Sequence, residues 1–276
     1  MRPTTYFIGR LHLSGTRGAK RDFLSKGLQS KRTIQKGMHM WGFFDVEEFS
    51  HDQMEIMSGF LVKLKPMMEE EVADLSTHHL EQASIENRTV AKVRFFLDVR
   101  TGLMAFHRAG SHITEEQFRK QFREVFREAF NGLFVDADIQ VVEERFRFFE
   151  RLEQFDHISS VRLRLHPTNP NFDEFYEKTD RRLRELEAER YREEFDFSPD
   201  SDPTPVRSDE EIRGKILMAE DGYGSAEVSG TVGGTPQTIK TSENPVTANV
   251  PSEVSEASDI FRYLAAAFRR IVDRIA

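Results

Sequence analysis

Nine basic side chains (Arg2, Arg10, Arg17, Lys20, Arg21, Lys26, Lys31, Arg32 and Lys36) meet a single acid, Asp22, in the first 37 residues. That stretch is +8 by formal count in a chain whose total is −8, so residues 38–276 carry −16. Arg17, Lys20, Arg21, Lys26, Lys31, Arg32 and Lys36 stand among Gly and Ser, a composition suited to holding phosphate even on an acidic protein. Contact of this kind with a nucleic-acid backbone releases counterions and weakens steeply with salt. Arg162 and Arg164, on the open face of a strand, either extend the patch or pair with acids of the charged segment at 172–194. The bland alternative is a solvated terminus whose charges offset an acidic body.

Other groups with chemical potential are weaker. His78 and His79 lie near Asp74 and Glu81, but adjacent residues point different ways in any regular element, and the remaining histidines are scattered. Asp136 or Asp138 with Glu143, and Glu211 with Lys215, approach the acid pattern of a metal-dependent nuclease without its strand placement and lysine. The run DGYGSAEVSGTVGG at 221–234 is not followed by the Gly-Lys-Ser/Thr of a phosphate loop, and hairpin turns explain it better. Trp41, the single tryptophan, sits in an apolar strand and reads as core. No catalytic residue, metal or cofactor is assigned on this basis.

The elements that must position these groups follow from hydrophobic period. Strands are expected at 4–13, 38–46, 55–64, 88–98, 103–107, 135–142 and 158–166. In the last of these Val161, Leu163 and Leu165 alternate with Arg162 and Arg164. The spacing predicts a hairpin through Val99–Gly102. It also predicts a helix from a Thr114/Gln117 capping box, with Phe118, Phe122, Val125, Phe126, Ala129 and Phe130 on one stripe. A short helix is expected at 144–155, a charged helix at 172–194, a linker at 196–209, and strands at 214–219, 224–232 and 236–241. An amphipathic helix at 254–275 should dock on a sheet or pair with a second copy. Residues 14–37 read as an exposed loop or mobile arm and 67–86 as an acidic loop with a helical turn. No internal repeat of fixed period is visible. The result is an α+β fold of mainly antiparallel sheets with amphipathic helices packed on them and a C-terminal helix. Three regions are expected, at 1–86, 87–195 and 196–276.

The chain has no cysteine, which removes disulfides and thiol chemistry. It also has no apolar run of membrane-span length, which suits a cytoplasmic protein with no membrane partner. The runs VRFFLDVRTGLMAFHRAGSHITEEQFRKQFREVF, VRLRLHPTNPNFDEFYEKTDRRLREL and GKILMAEDGYG follow one another in an order that resembles a widespread family of uncharacterised bacterial proteins of about this length. More distantly, the series is similar to the phage exclusion protein RexA and to KwaB of the Kiwa anti-phage system. The resemblance spans roughly residues 90–250. It implies a homodimeric α+β protein that binds DNA without strong sequence preference and acts in phage defence, and it transfers no individual site residue. The lead expectation is therefore a nonspecific double-stranded-DNA-binding protein, with a homodimer and a partner protein of the same defence system as possible assemblies. A protein–protein interaction subunit and a metal-dependent nuclease are the alternatives.

Overall fold

Strand β1 (Thr4–Ser14) is apolar along most of its length, and the computed structural model explains why: both of its faces are covered. The structure describes residues 3–15, 19–74, 76, 79–132, 135–168, 176–198 and 202–274. After β1 come α1 (Lys20–Leu28), β2 (Thr33–Lys36), β3 (His39–His51), β4 (Met54–Asp74), β5 (His79–Asp98) and β6 (Leu103–His107), then α2 (Glu115–Glu128) and β7 (Asp136–Val141). A second run holds α3 (Arg147–Leu152), β8 (His157–Leu165), α4 (Glu177–Glu185), β9 (Tyr191–Asp196), α5 (Thr204–Ser208) and α6 (Glu210–Met218). It continues through a π-type turn (Ala219–Tyr223) into β10 (Gly224–Val232) and β11 (Thr235–Lys240). Strand β12 (Thr247–Val250) and helix α7 (Ala257–Asp273) then return to the first unit.

Two antiparallel sheets result. The larger runs β12-β1-β6-β5-β4-β3-β2, with β7 also pairing with β1, and the smaller runs β11-β10-β8-β9. β12 pairs with Thr4–Phe7 and β7 with Gly9–Ser14, so the two lie end to end along β1. The two-residue period of a strand then divides β1. Phe7 and Leu11 join the core built with Phe118, Phe122 and Phe126 of α2. Tyr6 and Ile8 join Phe261, Leu264 and Phe268 of α7 on the opposite face. Arg10 and His12 continue that second face beyond the helix and meet the smaller sheet's unit, which has its own core of Val161, Leu163, Leu165, Ile216 and Val228.

The α+β class, the antiparallel sheets, the hairpin and the two amphipathic helices agree with the sequence. Thr114 Oγ1 accepts from the Gln117 amide at 3.2 Å and Gln117 Oε1 from the Thr114 amide at 3.2 Å, completing the expected capping box. Trp41 is core, and α7 docks on the large sheet. Four segments differ. Residues 14–37 contain a helix and a strand rather than a free arm. The acidic loop expected at 67–86 is the far end of a long ribbon, paired from Ile56↔Asp98 to Asp74↔His79 with one register shift between Lys63 and Leu64. The sequence of that end, MMEEEVADLSTHHLEQASIE, does not alternate apolar with polar residues and so carries no strand period. Helix α4 is much shorter than 172–194, ending at a left-handed Glu187 (φ 50°), after which Tyr191, Glu193 and Phe195 turn one edge of β9 inward. Residues 214–219 are helical, capped by Asp209 accepting from the Ile212 amide at 2.8 Å. A short apolar run buried all round does not distinguish helix from strand. β5 runs unbroken through residue 86, and β8 and β9 share a sheet with β10 and β11.

The two units are joined by buried carboxyls. Glu220 accepts from the amides of Phe146 (3.2 Å) and Phe148 (3.1 Å). Its carbonyl takes the Glu143 amide at 2.7 Å, and Glu143 Oε1 in turn accepts from the amide and Nδ2 of Asn244. Burial pushes both carboxyls up to about 7, against the opposing effect of these hydrogen bonds. A raised folded-state pKa means the native protein binds more protons than the unfolded chain. Stability is then greatest below the ordinary value of 4.5 and is lost as pH rises through about 7. Urea denaturation across the window should show this decline, and Glu220→Gln should flatten it.

Candidate active site

The ends of β1 and β8 carry the same five-residue pattern: Arg10-Leu11-His12-Leu13-Ser14 and Arg164-Leu165-His166-Pro167-Thr168. Leu11 and Leu165 are fully buried, each in the core of its own unit. Alternation along each strand therefore turns His12 and His166 toward the seam between the units. There the two rings stack, with centroids 4.8 Å apart and planes 9° from parallel.

The stack is fixed at its edges. His12 Nε2 lies 2.6 Å from the carbonyl of Gly222, in the π-type turn before β10. Gly222 has φ +80°, and a Cβ there would come within 2.9 Å of Val142 and 3.0 Å of Arg10, so the close approach requires glycine. Because a carbonyl only accepts, Nε2 carries the proton and Nδ1 keeps the lone pair. Burial, followed by the charge of His166, pushes His12 well below the usual imidazole value, so His12 is a neutral base. His166 has the opposite surroundings. Its Nδ1 lies 3.2 Å from the Glu189 carbonyl and its Nε2 3.4 Å from Asp138 Oδ2. Burial of Asp138 opposes ionisation, but hydrogen bonds from His166 and Gln140 outweigh it and hold the carboxyl well below the usual range.

Around the stack is a cavity of ≈ 320 Å³ lined by His12, Ser14, Lys20, His166, Thr168 and Arg184, among others. Lys20 enters from the first turn of α1. Burial and then the nearby Arg10 push its amine down to about 8, against a smaller opposing effect from Asp98. Thr168 is locked: its amide and hydroxyl donate to buried Asp180 at 2.6 and 2.8 Å, and Arg184 also binds both residues. The rim is pinned where the Gly15 amide donates to Glu189 Oε1 at 2.8 Å. Behind the histidines Arg10 is 1% exposed, with its guanidinium 4.2 Å over the Tyr223 ring and hydrogen-bonded to the carbonyls of Asp221 and Thr101.

The residues expected from sequence to bind nucleic acid are dispersed. Arg17 lies outside the described residues. Among the described cations of the arm, Lys20 alone lines the cavity. Arg21 bridges Glu48 and Glu55 at 3.1 and 3.0 Å. Lys26 covers the Phe130 ring, and Lys31 is exposed. Arg32 reaches Glu128 and Asn131, and Lys36 reaches Glu124. Arg162 lies between Glu194 and Glu227, while Arg164 is exposed in the same groove. Acids from β3, β4 and α2 thus interleave with the arm's cations. Of the metal candidates, Asp136 pairs with Arg123, Asp138 with His166, and Glu211 with Lys215. His78 lies outside the described residues and His79 is exposed. Among the described residues no group of three or more His, Asp or Glu is placed to hold a metal.

His12 and His166 belong to the scattered histidines that sequence reasoning passes over. The signal that finds them is the recurrence of Arg-Leu-His-x-Ser/Thr, which a search for fixed-period repeats does not register. A neutral imidazole, a second imidazole set between a carbonyl and a carboxylate, and a cationic amine in one half-buried cavity can exchange protons and stabilise an anion. Sulfate should bind in this cavity, facing Lys20, His166 and Arg184 on one side and Glu187 and Glu189 at the rim. Its affinity should fall as Lys20 deprotonates between about pH 7 and about pH 9, and Lys20→Met should bind more weakly at the lower pH and lose that dependence, as read by calorimetric titration.

A search of curated proteins finds no match to this chain. A family model described as a domain of unknown function, DUF4747, matches residues 16–272, beginning just after His12 and Ser14 and including His166. The match covers nearly the whole chain, which therefore belongs to the DUF4747 family.

Proposed function

We propose that the seam cavity cleaves a phosphodiester bond by acid–base chemistry, using a hydroxyl of the substrate as nucleophile. The observation that supports this reading is the stacked His12–His166 pair, whose edge contacts favour opposite proton states. A ribonucleotide supplies the nucleophile. His12 Nδ1 takes the proton of the 2′-hydroxyl, the 2′-oxygen forms a bond to phosphorus, and the bond from phosphorus to the 5′-oxygen breaks. His166 gives its proton to the leaving 5′-oxygen, and the product ends in a 2′,3′-cyclic phosphate. Attack of water on that cyclic ester, with the two histidines exchanging roles, returns both to their starting states. Lys20 offsets the charge that develops on the non-bridging oxygens. Ser14 and the Asp180-locked Thr168 shape the wall on which the phosphate rests.

This reading keeps the nucleic-acid partner and the cytoplasmic phage-defence setting expected from the sequence, and moves the contact from the basic arm to the cavity. It also changes the substrate from DNA to RNA, because deoxyribose lacks the attacking hydroxyl. The purified protein should cleave a labelled single-stranded RNA in the presence of EDTA and leave the DNA of the same sequence intact. His12→Ala and His166→Ala should each reduce the rate by about 10²–10⁴, with circular dichroism unchanged. Cleavage that needs a divalent metal, or that survives both substitutions, would overturn the proposal.

A further inference from the structure

Beside the histidine cavity a second groove of ≈ 410 Å³ runs along the open face of β8. Its lining includes Arg119 from α2, Arg162 and Arg164 from β8, Lys240 from β11, Gln140 from β7, and the carboxylates Glu194 and Glu227. The four cations outnumber the two acids. Glu194 is taken by Arg162, and Glu227 by Arg162 and Lys240, at 2.5, 3.3 and 2.8 Å. No carboxylate among the described residues pairs with Arg164 or Arg119, and Arg119 Nε is buried with no hydrogen-bond partner there. The acids therefore neutralise one end of the groove and leave the end nearer the histidines cationic.

Arg164 shares a strand face with His166 two residues further on, a rise of about 6.6 Å. Gln140, in the lining of the groove, donates to Asp138 at 2.6 Å, and Asp138 contacts His166 in the lining of the histidine cavity, so one chain of contacts through β7 links the two. Small polar residues complete the groove, with Ser225, Thr241 and Ser242 in its lining. A cationic, polar groove whose Arg164 lies two residues from His166 of the proposed cleavage cavity suits a neighbouring phosphate of the same strand.

We infer that this groove is a second phosphate subsite, so that the substrate is an RNA strand lying along β8 rather than a mononucleotide or a dinucleotide. The inference rests on the proposed cleavage reaction for its chemistry and on the groove alone for its binding. Arg164 and Arg119 hold the phosphate next to the one being cleaved. They are positioning residues, and their contribution appears in KM for long substrates.

The test compares the dinucleotide UpU with a labelled oligouridylate of about ten nucleotides, a length within the range one such groove accommodates. Arg164→Gln and Arg119→Gln together should raise KM for the oligomer about tenfold or more and leave kcat, and both constants for UpU, unchanged. The salt dependence of oligomer binding should flatten by about 0.7 in slope for every phosphate that the groove no longer neutralises. Equal losses on UpU and the oligomer, or no loss on either, would overturn the subsite. A single-stranded oligothymidylate of the same length reads the groove without the chemistry. If RNA is not cleaved yet this probe binds in an Arg164- and Arg119-dependent way, the groove stands and the cleavage reaction falls. If RNA is cleaved and the double variant binds the probe as well as the parent protein, the groove falls and the reaction stands.

Discussion

Strand β1 has three sets of neighbours, and its two-residue period decides what each receives. Phe7 and Leu11 are committed to α2, and Tyr6 and Ile8 to α7. A register slip of one residue would exchange every one of these partners and expose the core. With the register held by β6, β7 and β12, Arg10 and His12 have no alternative to the seam. The same constraint acts on β8, where Val161, Leu163 and Leu165 fill the second core and leave Arg162, Arg164 and His166 on the opposite face. The cavity and its groove are thus the polar remainders of two strands whose apolar residues are already committed.

Desolvation then sets the chemistry of the seam. Arg10 is buried with Nε and Nη1 donating to the carbonyls of Asp221 and Thr101 and its guanidinium over the face of Tyr223, while Nη2 has no hydrogen-bond partner among the described residues. Burial is the largest cause that lowers both His12 and Lys20, and the charge of Arg10 adds to it, while Asp138 stands at the edge of His166. Two chemically identical rings 4.8 Å apart are thereby given different surroundings. Separation of this kind is what acid–base chemistry requires of a pair. The π-type turn makes it possible by bringing the Gly222 carbonyl to His12, and irregular helical turns of this sort recur at functional sites.

Three cations of the arm are separated by the fold. Arg21, Arg32 and Lys36 are close in sequence, yet each is drawn to an acid from a different element: Glu48 and Glu55, Glu128, and Glu124. Instead of a continuous patch, the fold makes a set of separate surface pairs, each of small energetic weight. Lys20, one cation among many in the sequence, is placed by folding in the cavity beside the histidines.

The elements legible in the sequence are those whose period is strong and local. The Phe stripe and capping box of α2, the Gly102 turn, the alternation of β8 and the apolar face of α7 are all short-range features. They prefer one conformation almost regardless of what surrounds them. The long polar ribbon of β4 and β5, the end of α4 and the helical state of 210–218 are not legible in this way, because in those segments cross-strand pairing and burial outweigh local preference. Nor does residue order single out His12 and His166. Each sits in a recognisable five-residue pattern, but it is folding that brings the two strand ends together across a seam and withdraws them from water. Their proton states depend on that withdrawal, which is a property of packing and not of residue type.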